Sequence, residues 1–193
     1  VEPPTRSAIE IPELGGVQNK LKTSELSLAM IFSSLYAVLV VALSPVSYGP
    51  IQLRVADCLI PLAALFGWPV IAGVTVGCFL GNAYFWLGPQ DVIFGTIANL
   101  IAATMIFIFK KRQFVACVLG SLPIGIIVGS YLWIFFPPPE IFGLQLPVWG
   151  AMVISITIST LIAIAGIGYV LLKTLNSSGV INALKSRGIK TYS

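Results

Sequence analysis

Residues 48–66 read YGPIQLRVADCLIPLAALF, and this stretch decides the fold. It lies in a very apolar chain, yet it carries a Gly-Pro break, a glutamine, an arginine and an aspartate. Arg54 and Asp57 stand three residues apart, a spacing that puts both on one face of a helix. Pro61 follows Asp57 by four residues; it has no N–H to offer the Asp57 carbonyl, and its ring crowds that carbonyl. Residues 51–66 are also short for a membrane span. A short, polar, proline-interrupted segment among long apolar ones is the usual sequence pointer to a binding site in a membrane transporter.

Working outward, 57% of the 193 residues are hydrophobic and 9% are charged. Soluble domains average about 25% charged residues, so the chain reads as an integral membrane protein forming one bundle. There is no histidine, which removes the commonest general base and metal ligand. Cys58, Cys78 and Cys117 are odd in number and sit in apolar runs, so they read as small packing residues, with no metal site and no disulfide. The net charge of +4 comes from basic residues at the ends of apolar runs, where they set topology, so nucleic acid is not the expected partner.

Residues 1–25 are polar and proline-rich and read as a tail, with no cleavable signal peptide. Residues 26–172 form the expected transmembrane domain, and 173–193 a basic, polar C-terminal tail. The spans are expected at 26–44, 51–66, 68–87, 91–109, 113–136 and 147–172. Thr23 or Ser24 is a candidate cap for the first and Asp91 for the fourth. Pro123, Gly125 and Gly129 predict a bend in the fifth. Six spans put both termini on one side, together with 10 of the 11 basic residues; Arg54 alone is left near the other surface. The positive-inside rule then places both termini in the cytoplasm. The fold class is therefore an all-α membrane protein, a six-transmembrane-helix bundle.

Small residues recur every fourth position in two helices. Gly73, Gly77 and Gly81 read as tight packing inside the bundle. Ala29, Ser33 and Ala37 admit either a neighbouring helix of the bundle or a partner subunit.

Charge at the centre of a membrane helix costs roughly 2.5–3.5 kcal/mol on insertion scales, so polar residues in the spans need a reason. Those residues are Gln52, Arg54, Asp57, Asn82, Gln90, Asp91 and Asn99. Arg54 and Asp57 can simply neutralise each other. The topology favours a binding site instead, because most of these groups gather in the outer half of the bundle. Tyr48, Tyr84, Phe85 and Trp86 stand at the same level, and polar groups beside aromatic faces suit a flat, hydrogen-bonding solute. Tyr and Trp also collect at membrane interfaces, so the aromatics count only alongside the polar cluster. There is no Gly-x-Ser-x-Gly, no His-Glu-x-x-His and no Walker loop, so neither hydrolysis nor self-powered transport is expected.

The stretches SYGPIQLRVAD (47–57), GCFLGN (77–82) and DVIFGTIANLIAA (91–103) resemble the QueT family. Members are substrate-capture (S) components of energy-coupling factor (ECF) transporters, assigned to uptake of queuosine precursors, which are 7-deazaguanines. The resemblance implies the six-helix S-component fold with both termini inside. It also implies an outward-facing pocket covered by the loop at 45–52. The Ala29/Ser33/Ala37 stripe is similar to the one S components use to dock the transmembrane coupling subunit. That subunit joins two ATPases, so ATP would be used by partners and no cofactor bound by this chain.

A guanine-like edge offers two adjacent donors beside a carbonyl acceptor. A carboxylate can accept both donors at once, a task open to Asp57 or Asp91. The carbonyl needs a donor such as Arg54, Gln52 or Asn82, and Tyr48, Phe85 or Trp86 can stack on the ring. An aminomethyl substituent adds a cation that a second carboxylate would suit. Which aspartate takes which task is open at this level. The competing readings are an S component for another heterocycle such as thiamin, an intramembrane lipid enzyme, and a structural membrane subunit.

Overall fold

The computed structural model describes residues 23–47, 53–137, 147–186 and 188–192, and every regular element among them is helical. Helix α1 spans Thr23–Ala42, and a single helical turn, Ser44–Ser47, occupies the start of the expected 45–52 loop. Helices α2 (Val55–Phe66), α3 (Trp68–Tyr84), α4 (Asp91–Ile108), α5 (Lys110–Leu132) and α6 (Val148–Leu175) follow. Four of these six, α1, α4, α5 and α6, are long and apolar enough to cross a membrane, whereas α2 and α3 are shorter apolar helices. The expected third span, 68–87, is cut short because its last turn closes at Tyr84.

The architecture is an arc of five helices around α2. Helix α1 packs along α3, α3 on α4, α4 on α5 and α5 on α6, while α2 touches α1, α3, α4 and α6. Every residue from 56 to 66 is buried, as a helix that is apolar on all sides requires. Large apolar side chains on the outer helices, among them Met30, Ile31, Val38, Phe79, Ile97 and Ile126, point away from the bundle. Such a coat is untenable in water and suits lipid.

Helix α2 departs from ideal α geometry in the way Pro61 demands. Residues Val55–Leu62 form a 3-10 helix, and only Ala63–Phe66 close an α turn. A 3-10 ladder joins residue i to i+3, so Asp57 no longer looks to Pro61 for a donor. The carbonyl facing Pro61 in that ladder is that of Cys58, where Gly168 of α6 comes close. A Cβ on Gly168 would stand 2.7 Å from Pro61 Cγ and 2.8 Å from the Cys58 oxygen. A 3-10 helix rises about 2.0 Å per residue and an α-helix about 1.5 Å, so α2 reaches only about 22 Å. It therefore stops short of a hydrocarbon core about 30 Å thick, leaving Arg54 at one end.

Glycines set the closest helix contacts. Cβ atoms on Gly73 and Gly77 would lie 2.7 Å from the carbonyl oxygens of Ala29 and Ser33. On Gly125 and Gly129 of α5 they would run into Thr157 and Val153 of α6. The glycine stripe of α3 is thus bundle packing, and its counterpart on α1 includes two of the three small residues singled out above.

Two C-terminal features differ from the expected tail. Helix α6 continues to Leu175, and Ser178–Ser186 forms a further helix, α7, with Ile181 buried. The chain then turns back along the bundle, and the Tyr192 N–H donates to the Leu65 carbonyl at 2.8 Å. That bond serves a carbonyl in the last turn of α2, which has no partner within the helix.

Candidate functional site

The buried charged side chains among the described residues are Arg54, Asp57 and Asp91. They arrive from three directions. Arg54 immediately precedes the 3-10 segment, with a backbone that is not helical, so Arg54 and Asp57 do not share an α-helical face. Asp57 lies in the first turn of α2. Asp91 opens α4, whose first turn, Asp91–Gly95, is a widened π turn. No side-chain cap bond forms at that helix start, contrary to the capping expectation; the Asp91 carboxylate turns inward and is 1% exposed. Widened turns of this kind are frequent at functional sites.

Two tyrosines hold the two acids. The Tyr36 hydroxyl of α1 donates to Asp57 Oδ1 at 2.5 Å, and Asn99 Nδ2 of α4 donates to the Tyr36 oxygen at 2.7 Å. The Tyr131 hydroxyl of α5 donates to Asp91 Oδ1 at 2.9 Å. Asn82 of α3 donates to the Asp91 backbone carbonyl at 3.0 Å and to Cys78 Sγ at 3.7 Å. Arg54 also reaches that sulfur, at 3.6 Å. Gly95 is bare for a reason: a Cβ there would stand 2.6 Å from Asn82 Nδ2. Asp91 Oδ2 is buried and has no hydrogen-bond partner among the described residues.

Of the residues singled out in the sequence, Arg54, Asp57, Asn82, Asp91 and Asn99 meet in this one cluster. Phe85 is half-buried against the core, whereas Trp86 and Gln90 are exposed beyond the end of α3. Tyr48 and Gln52 lie outside the described residues. Three members were not anticipated: Tyr36, Tyr131 and, as a polar partner, Cys78. Hydroxyls inside spans were the signal available for the first two, since a buried tyrosine usually finds a partner.

The arrangement offers hydrogen-bond donors, acceptors and charge in a low-dielectric setting. It offers no nucleophile paired with a base, and among the described residues no group of acids and cysteines is placed to hold a metal. Ala29 and Ser33 are nearly buried along α3, while Ala37 is half-buried. Beside that seam runs an apolar groove of about 300 Å³, bordered by Met30, Ser34, Ala72 and Val76.

Comparison with known proteins gives a consistent picture. No solved structure matches the chain. The queuosine precursor transporter QueT of Lactococcus lactis subsp. cremoris (strain MG1363) is 37% identical over 86 residues, covering 42% of this chain and 48% of that protein. The matched stretch thus spans about half the length of that curated relative. The model of the QueT transporter family matches residues 26–177, from α1 through the end of α6. That match takes in the greater part of the chain and every helix that feeds the polar cluster, and this multi-pass membrane protein belongs to the QueT transporter family.

Proposed function

We propose that this protein is the substrate-capture subunit of an ECF-type importer, taking up a queuosine precursor of the 7-deazaguanine class. The reading is carried by one observation: a family member buries Arg54, Asp57, Asn82, Asp91 and Asn99 together in an otherwise apolar bundle. Ionised groups in a membrane interior are costly, and substrate recognition is the usual return. The related lactococcal protein carries the name of a queuosine precursor transporter, which supports the choice of cargo.

In this reading all six apolar helices lie in the membrane, α2 buried among α1, α3, α4 and α6, and both termini face the cytoplasm. The clustering of Lys110, Lys111 and Arg112 at the start of α5, with Lys173 in the last turn of α6, supports that orientation. The cargo enters from outside, between Arg54 and the π turn of α4. Phe85, Trp86 and Gln90 belong to the mouth. The chain binds no cofactor; a transmembrane coupling subunit docks on the α1–α3 groove, over Met30, Ser34 and Val76 beside the Ala29/Ser33/Ala37 stripe, and two ATPases supply the energy.

The test is direct titration of the detergent-purified protein with 7-aminomethyl-7-deazaguanine, 7-cyano-7-deazaguanine, queuine and thiamin. Saturable binding of at least one deazaguanine, with none of thiamin, is expected. Failure of all three deazaguanines would remove the assignment of cargo.

A further inference from the structure

The two aspartates of the site are not equivalent. Asp57 is engaged from within: Tyr36 donates to it, and Asn99 fixes Tyr36. Asp91 is engaged on one side only, since Tyr131 takes Oδ1 and Oδ2 stays bare at 1% residue exposure. A buried carboxylate oxygen without a donor is unfavourable and marks the place where a donor is missing.

The charges point the same way. Arg54, Asp57 and Asp91 all lie within electrostatic reach of the Cys78 thiol, so they share one low-dielectric volume. Among the described residues one arginine stands against two carboxylates, and a ligand amine would add the positive charge that this set lacks. One open oxygen also suits an ammonium, a compact charge with three donors, better than a guanine edge whose two adjacent donors call for both oxygens of a free carboxylate.

We propose that Asp91 Oδ2 is the contact for a protonated amine on the cargo, and that Asp57 is a positioning residue acting through Tyr36 and Arg54. The inference rests on the deazaguanine reading above and divides the labour within it. The cargo is accordingly a cationic 7-aminomethyl-type deazaguanine, and neutral analogues bind poorly.

The experiment is isothermal titration of wild type, Asp91→Asn and Asp57→Asn with 7-aminomethyl-7-deazaguanine and the neutral 7-cyano-7-deazaguanine. Wild type is expected to favour the amine at least tenfold. Asp91→Asn should erase that preference, and cooperative thermal unfolding in detergent near the wild-type midpoint shows that the variant is folded. Asp57→Asn should weaken both ligands by a similar factor. Equal wild-type affinity for the two ligands overturns the inference and leaves the deazaguanine reading intact, with no variant needed. A preference that survives Asp91→Asn, or is lost in Asp57→Asn instead, overturns it as well. If neither compound binds wild type, the inference falls, and if queuine fails as well the reading of the cargo itself fails.

Discussion

Gly77→Ala is the sharpest perturbation of the scaffold. The added Cβ would lie 2.7 Å from the Ser33 carbonyl oxygen and 2.7 Å from Tyr36 Cβ, about 0.7 Å inside the 3.4 Å where ordinary contact begins. Neither obstacle can swing aside, because one is main chain and the other is the first atom of a side chain anchored at Asp57. Helix α1 must therefore back away from α3. Overpacking of this kind costs about 1–3 kcal/mol. Alanine's better helix propensity offsets up to about 1 kcal/mol, so with the full offset the net loss is up to about 2 kcal/mol. Because the displaced residue is Tyr36, ligand affinity should fall by at least about threefold, an offset of about 0.7 kcal/mol. Thermal unfolding in detergent and ligand titration read the two effects. Gly166→Ala is the matched control, since a Cβ there meets nothing closer than the Leu161 oxygen at 3.9 Å. If Gly77→Ala matches wild type in both measurements, the α1–α3 seam does not position the site.

Three further outcomes are expected. Tyr36→Phe removes the hydroxyl between Asn99 and Asp57 and should lower stability by about 1–3 kcal/mol, read by unfolding in detergent; no change would mean that the chain of bonds contributes nothing. Ser34→Trp fills the α1–α3 groove from an exposed position, so it should stop energised uptake in vesicles while leaving ligand titration unchanged; normal uptake would move the docking surface elsewhere. Lys111→Cys should react with a membrane-impermeant maleimide in inside-out vesicles and not in intact cells, the native cysteines being buried; the opposite pattern would invert the topology.

The sequence made the charged part of the site legible. Arg54, Asp57, Asn82, Asp91 and Asn99 stand out because polar groups in apolar runs are expensive, and that expense does not depend on knowing the fold. The tyrosines were hidden for the converse reason. Tyrosine is ordinary in membrane segments, and its partner lies on another helix: Tyr36 is 21 residues from Asp57, and Tyr131 is 40 from Asp91. Trp86 and Gln90 stand near Asn82 and Asp91 in the sequence but outside the buried cluster, because the end of α3 at Tyr84 lets them turn outward. Pro61 announced an irregular helix without saying which kind. The 3-10 turn also accepts Gly168 against it, a contact made from the far end of the chain. The return of Tyr192 to Leu65 had no local signature at all.

The seam between α1 and α3 also decides how this bundle would yield under load. Main chain rests on main chain there, so the pair behaves as one stiff lever carrying Tyr36, Cys78 and Asn82. What fastens the lever to α2 and α4 across the site is a short row of side-chain links, Tyr36 to Asp57, Asn99 to Tyr36 and Asn82 to the Asp91 carbonyl, with Arg54 against Cys78. The polar cluster thus also marks the boundary between that pair and the rest of the bundle, since α1 and α3 reach α2 and α4 through it.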